Sequence, residues 1–222
     1  MRHLAVGDIH GCFTALTTLA AYVPFRPDDV IVTLGDYVNR GPNSFAVVDW
    51  LIEYRRSAQL VALRGNHEIM MLKARNNDDA LRQWIACGGD ATLASYSPLG
   101  DSGRLDDVPD SHWQFMEETR PWFETPSHFF VHANAYPDLP LDDQPEYMLY
   151  WEKFDDPPPH ENGKTMVCGH TSQKSGLPRN LGHAVCIDTW ACGNGWLSCL
   201  NSDTGELWQS NQRGEARKSR ID

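Results

Sequence analysis

Val30-Ile31-Val32-Thr33-Leu34-Gly35-Asp36-Tyr37-Val38-Asn39-Arg40-Gly41 decides the fold. Its first part is apolar and β-branched, which reads as a buried strand. Its second part sets a carboxylate, an amide and a guanidinium between two glycines, and glycine permits the tight turn such a polar burst needs. The same order recurs on either side. His3-Leu4-Ala5-Val6 runs into Gly7-Asp8-Ile9-His10-Gly11, and Leu60-Val61-Ala62-Leu63 into Arg64-Gly65-Asn66-His67-Glu68. Between these strands, residues 12–23 place Phe13, Leu16, Leu19, Ala20 and Val23 near helical spacing. A second helix is expected from just after Gly41-Pro42 to about Arg56. A βαβαβ order implies parallel strands with helices on their faces, and the carboxyl ends of parallel strands share the edge where ligands usually bind.

Further along, residues 68–125 read as mostly helical, with breaks at Gly88-Gly89 and Ser97–Gly103, and Trp84, Trp113 and Trp122 read as packing residues. Strands are expected again at Phe129–Val131, Met166–Cys168, Ala184–Ile187 and Gly195–Leu200, with an extended proline loop at Asp155–Pro159. The tail Asn211–Asp222 is polar and basic and is expected to fray. No repeat or linker divides the 222 residues, so a single domain over 1–222 is expected.

Composition narrows the classes. Eight Trp, seven Tyr and eight Phe supply enough apolar area to exclude disorder as the main state. No apolar run approaches the roughly 20 residues that span a bilayer, and the first residues lack a signal-peptide core, so a cytoplasmic protein away from membranes is expected. Nineteen Lys and Arg against thirty Asp and Glu give a net charge of −11, which opposes binding to nucleic acid. A bound cation can still reverse the field locally for an anionic substrate. The six cysteines include no CxxC pair and are expected as buried free thiols.

Two later strands end in the same manner, at Phe130-Val131-His132 and Cys168-Gly169-His170. A lone histidine after a strand is ordinarily a hydrogen-bonded structural residue. Coincident strand ends carrying Asp8, His10, Asp36, Asn66, His132 and His170 are another matter. Mixed carboxylate, imidazole and amide ligation suits Mn, Fe or Zn better than Mg or Ca.

These motifs, GDIHG, GDYVNRG, RGNHE, a later VH and a later GHT, resemble the PPP family of calcineurin-like metallophosphoesterases. The bacterial branch, with its serine/threonine phosphatases and symmetrical diadenosine-tetraphosphatases, is the most similar, and the likeness extends from Asp8 to about Asp188. Gly88-Gly89 with Thr92–Tyr96, and Ile187-Asp188-Thr189, also resemble that branch. The resemblance implies an α/β fold, a four-layer αββα sandwich of mixed sheets with helices on both faces. It implies two divalent metal ions, Mn foremost, with Fe, Zn, Ni or Co as alternatives. Asp8 and His10 would bind the first, Asp36 would bridge, and Asn66, His132 and His170 would complete the second. A bridging hydroxide would attack phosphorus directly, Arg40 would bind phosphate, and His67 would be the general acid. The expected partner is a phosphorylated protein or a small phosphate ester.

Three departures stand out. Asn39 replaces an Asp whose carboxylate, in the family, pairs with the histidine equivalent to His67, so a weaker acid is expected. Asn134 stands where glycine is common. Lys153 follows Tyr150-Trp151-Glu152 where an Arg is frequent, and is a candidate phosphate contact without the planar fork. A nucleotide-polyphosphate hydrolase is the alternative, and it would need stacking surfaces (Tyr37, Trp151, Trp190) and cations beyond Arg40, Arg64 and Lys153. A phospho-ligand-binding protein of low activity is a third reading, motivated by Asn39.

Overall fold

A computed structural model describes residues 1–97 and 103–221. The chain opens with β1 (His3–Val6), α1 (Phe13–Tyr22), β2 (Val30–Thr33), α2 (Ser44–Ser57) and β3 (Gln59–Ala62), the expected βαβαβ unit. Next come α3 (Asn66–Ala74), α4 (Asp78–Trp84), α5 (Asp90–Tyr96) and α6 (Asp110–Glu117). The expected break at Ser97–Gly103 falls mostly on 98–102, outside the described residues. The second half contains β4 (Trp122–Glu124), β5 (His128–Val131), α7 (Glu146–Tyr150), β6 (Thr165–Cys168), β7 (Arg179–Asn180) and β8 (Ala184–Cys186). It closes with β9 (Leu197–Asn201), β10 (Glu206–Ser210) and β11 (Ala216–Arg220).

The strands form two mixed sheets, ordered β11-β10-β9-β1-β2-β3 and β4-β5-β6-β8-β7. β1, β2 and β3 are parallel to one another, as are β5, β6 and β8. Strand alternation divides the core. Leu4, Val6 and Ile31 face the helical side with Leu16, Leu19, Val47 and Leu51, whereas Ala5, Val30 and Val32 meet Phe130, Val167 and Val185 between the sheets. The outer face of the second sheet buries Phe129, Val131, Met166 and Cys186 under Leu149, Tyr150 and Phe154. Its cover is the short α7 and loops, so the fourth layer of the expected sandwich is thin.

Asn43 fixes the start of α2, its side chain accepting the Ala46 N–H at 3.0 Å, and Gly41-Pro42 precede it as expected. The tail does not fray. Residues 216–220 pair with β10 from Glu206↔Arg220 to Ser210↔Ala216, and Lys218 adds an ion pair to Glu206 at 2.8 Å. Backbone bonds carry this exposed edge, and its charges discourage further strands from adding to it. β4 interrupts the region read as helical, pairing antiparallel with β5. All six cysteines are free, but Cys87 is exposed and Cys192 half-buried rather than buried. Among the described residues no helix is long and apolar enough to cross a membrane.

Candidate active site

The candidate residues sit on loops at the carboxyl ends of β1, β2, β5 and β6 and on the first turn of α3. Their backbone is unusual. Six described non-glycine residues have positive φ, and five of them are His10 (46°), Asp36 (52°), Asn39 (74°), Arg40 (69°) and His170 (62°). L-residues pay roughly 1–3 kcal/mol for such conformations, and these persist where the surroundings over-determine them. Here the surroundings are close backbone contacts. A Cβ on Gly65 would collide with Asp36 Oδ1, and one on Gly169 with Asp8 Oδ1.

Each of three histidines has one ring nitrogen tied to a backbone carbonyl. His10 Nδ1 lies 2.9 Å from Val38 O, His132 Nδ1 2.8 Å from Leu34 O, and His170 Nε2 3.1 Å from Trp151 O. A carbonyl only accepts, so these nitrogens carry the protons and the opposite nitrogens present lone pairs. The lone pairs converge. His132 Nε2 is 3.0 Å from Asn66 Oδ1 and 3.5 Å from Asp36 Oδ1, and His170 Nδ1 is 3.2 Å from Asn66 Oδ1. On the other side of Asp36, Oδ2 lies 3.4 Å from His10 Nε2 and 3.9 Å from His67 Nε2. The lone pairs of His10, Asn66, His132 and His170 gathered around the Asp36 carboxylate are the donor set of a cation. Among the described residues two groups close enough to hold an ion occur, His10/Asp36/His67 and Asp36/His132/His170, and they share Asp36.

Protonation agrees. Burial lowers His10 and His170 to about 3 and His132 to about 4, favouring the neutral, ligating imidazole. Burial raises Asp36 to about 7, against the pull of the His67 N–H and Arg40. Burial and then repulsion from Asp188 raise Asp8 well above the usual carboxylate range. A divalent cation would reverse both trends, so the donor set fits metal.

Over residues 1–186 the sequence matches the calcineurin-like phosphoesterases. The chain belongs to that family. It is 41% identical to serine/threonine-protein phosphatase 1 of Salmonella typhimurium over 91 residues, 40% of each chain. It is 38% identical over 84 residues to the symmetrical bis(5'-nucleosyl)-tetraphosphatase of Neisseria gonorrhoeae, covering 37% of this chain and 30% of that one. The matches thus span less than half the length of these curated relatives. The cold-active protein-tyrosine phosphatase of a psychrophilic Shewanella shares the fold, with a TM-score of 0.64 at 18% identity over 98% of this chain and 80% of that one.

In this member of the family, Asp8 contacts Asp36 and accepts the His170 N–H at 3.0 Å through Oδ2, so it joins the cluster at its edge. Arg40 is exposed at the rim, where its Nη1 lies 2.8 Å from His10 Nε2 and its backbone N–H donates to Gly88 O at 3.1 Å. Lys153 is exposed, and its charge acts on His170. Asn134 ties the His132 loop to it, donating from Nδ2 to Lys153 O at 3.0 Å. Tyr37 is fully buried and cannot stack on a ligand, its hydroxyl donating to Leu63 O at 2.6 Å. Arg64 is likewise committed elsewhere, to the carbonyl end of α6 at Glu117 and Thr119.

Asn39 does not meet His67. Its Oδ1 accepts the Trp84 indole N–H at 2.8 Å, and its Nδ2 donates to Cys87 O at 3.3 Å. The indole is a donor only, which fixes the orientation of the amide. His67 Nδ1 is left buried without a partner. The expected pairing therefore gives way to a strap between Asn39, α4 and the wide turn Ile85–Gly89, against whose Gly88 the Arg40 backbone rests. Restoring the family's carboxylate by Asn39→Asp would set an oxygen against the Cys87 carbonyl inside the protein. Thermal or denaturant unfolding should show a loss of about 1–3 kcal/mol, and turnover should fall with it. Equal stability with faster turnover would restore the His67 pairing.

Sequence reading overlooked Glu68. Fully buried, it accepts Tyr37 N at 2.8 Å and Val38 N at 3.3 Å through Oε1, and Asp36 N at 2.8 Å and Gly65 N at 2.9 Å through Oε2. A Glu three residues after the N-cap, here Gly65, is the signal that marks such a cap.

Proposed function

We propose that this phosphoesterase is a metal-dependent phosphoric monoester hydrolase, acting on phosphoserine or phosphothreonine in proteins or on a broad set of small phosphate esters. The lone pairs of His132, His170 and Asn66 converging on a carboxylate shared with His10 are the observation that carries the reading. Asp8, His10 and Asp36 would hold one divalent ion, and Asp36, Asn66, His132 and His170 the other, with Mn foremost. Bound there, the ions would act as Lewis acids on the phosphoryl oxygens and the attacking water. Arg40 would grip two phosphate oxygens at once through its planar fork. His67 would hand its Nε2 proton to the leaving oxygen. Burial keeps that imidazole neutral in the free protein, and the incoming phosphate dianion is the charge that would restore its proton. Lys153, whose charge reaches His170, would add a second cation.

A dinucleotide-polyphosphate substrate is the second reading, favoured by the exposed Tyr136, Tyr147 and Trp151 beside Lys153. A panel run with Mn²⁺ on metal-stripped protein separates the two. It should contain an aryl phosphate, phosphoserine and phosphothreonine peptides, and diadenosine tetraphosphate. We expect the monoesters to be turned over faster than the dinucleotide. A dinucleotide rate above every monoester would select the second reading, and silence on all of them would leave a phospho-ligand-binding protein.

A further inference from the structure

Asp188 follows β8 and is 2% exposed, yet it belongs to neither group of converging donors. Among neighbouring charges it acts most strongly on Asp8, and it also repels Asp36. Its carboxylate makes two bonds, both to neutral donors: Oδ2 accepts the Ser172 hydroxyl at 2.6 Å, and Oδ1 accepts the Trp190 N–H at 3.0 Å. Its carbonyl accepts Gln173 N at 2.7 Å. Ser172 and Gln173 continue the loop that carries His170, whose own N–H reaches both oxygens of Asp8. Trp190, at φ 67°, is the sixth of the described non-glycine residues with positive φ. A single carboxylate therefore grips the His170 loop from one side and the Trp190 loop from the other. No Lys or Arg forms an ion pair with it among the described residues; the Arg40 guanidinium offsets part of the burial that pushes its titration up, and a buried carboxylate without a paired cation is costly.

We propose that Asp188 is a positioning residue for the metal centre, which holds the His170 loop in ligating geometry and deepens the negative potential at the cation site without ligating a cation itself. The proposal rests on the metal-dependent reading above. Its two contributions separate by substitution. Asp188→Asn keeps the size and removes the charge; Ser172→Ala keeps the charge and removes the tie to the loop.

Isothermal titration of metal-stripped protein with Mn²⁺ tests both variants, with folding verified by circular dichroism. Wild-type protein should take up two ions per chain. Asp188→Asn should still take up two, with affinity about 10–100-fold weaker, the usual cost of removing a group that orients metal ligands. Ser172→Ala should weaken binding by a smaller factor, and it keeps the proposal testable if Asp188→Asn fails to fold. At saturating Mn²⁺, Asp188→Asn should regain most of its kcat because every ligand is intact. An affinity within twofold of wild type for both variants would overturn the proposal. So would a fall to one ion per chain in Asp188→Asn, which would make Asp188 a ligand. A wild-type chain that binds no Mn²⁺ would instead sink the metal-dependent reading itself.

Discussion

Asp36→Ala should deprive the protein of both metal ions in one step. Elemental analysis after Mn²⁺ loading is expected to find less than one ion per chain, and kcat/KM should drop about a thousandfold or more, on the order of 4 kcal/mol of transition-state stabilisation. The reason is the position of the carboxylate. Oδ2 faces His10 at 3.4 Å while Oδ1 faces His132 at 3.5 Å, so each half of the donor set is completed by the same side chain. His10→Ala removes a donor from one half alone and should weaken mainly one ion. The scaffold should survive the loss of Asp36, because removing a buried carboxylate relieves its repulsion with Asp8 while forfeiting its bonds from His67 N at 3.1 Å and with Asp8. Retention of two ions per chain by Asp36→Ala would show that the shared-ligand assignment is wrong.

Arg40→Ala should have the opposite profile, with activity lost and metal kept. We expect KM to rise and kcat to fall, together about 100–1,000-fold in kcat/KM, the range for removing one preorganised group that stabilises transition-state charge. A guanidinium donates and never ligates. Its Nη1 lies 2.8 Å from the His10 lone pair and competes for it, so its removal should leave Mn²⁺ affinity equal or higher. Arg40→Lys should rescue little, because an ammonium keeps the charge but lacks the fork that engages two oxygens. Unchanged kcat/KM in Arg40→Ala would return this residue to an ordinary rim cation.

The strand-end bursts were legible because each is bounded by glycine and preceded by an apolar run, so period and punctuation agree. Asp8 and Asp36 come together because β1 and β2 are parallel neighbours in one sheet, and His132 and His170 because β5 and β6 are parallel neighbours in the other. What escaped was decided by contacts distant in sequence. The Trp84 bond to Asn39 joins residues 45 apart through a turn whose width no local pattern announces. The edge strand β11 reads as a polar tail because Ala216–Arg220 contains no apolar alternation; its order comes from the ladder to β10, which burial patterns do not encode. Tyr37 and Arg64 fitted the requirements of a nucleotide site in residue type, and only their bonds to Leu63 O and to the end of α6 show them committed elsewhere.

Glu68 carries a consequence for motion. Its two oxygens hold amide hydrogens from Asp36, Tyr37 and Val38 after β2 and from Gly65 after β3. Neither loop can swing away without stranding a buried carboxylate that the other loop alone does not satisfy, so the two open as one cooperative unit or stay shut. Asp36, Asn39 and Arg40 lie on one of these loops, and Asn66 and His67 directly after the other. Release of Asp36 and Asn66 from the cation pocket and loss of the Arg40 phosphate grip then become a single rare fluctuation of these two loops.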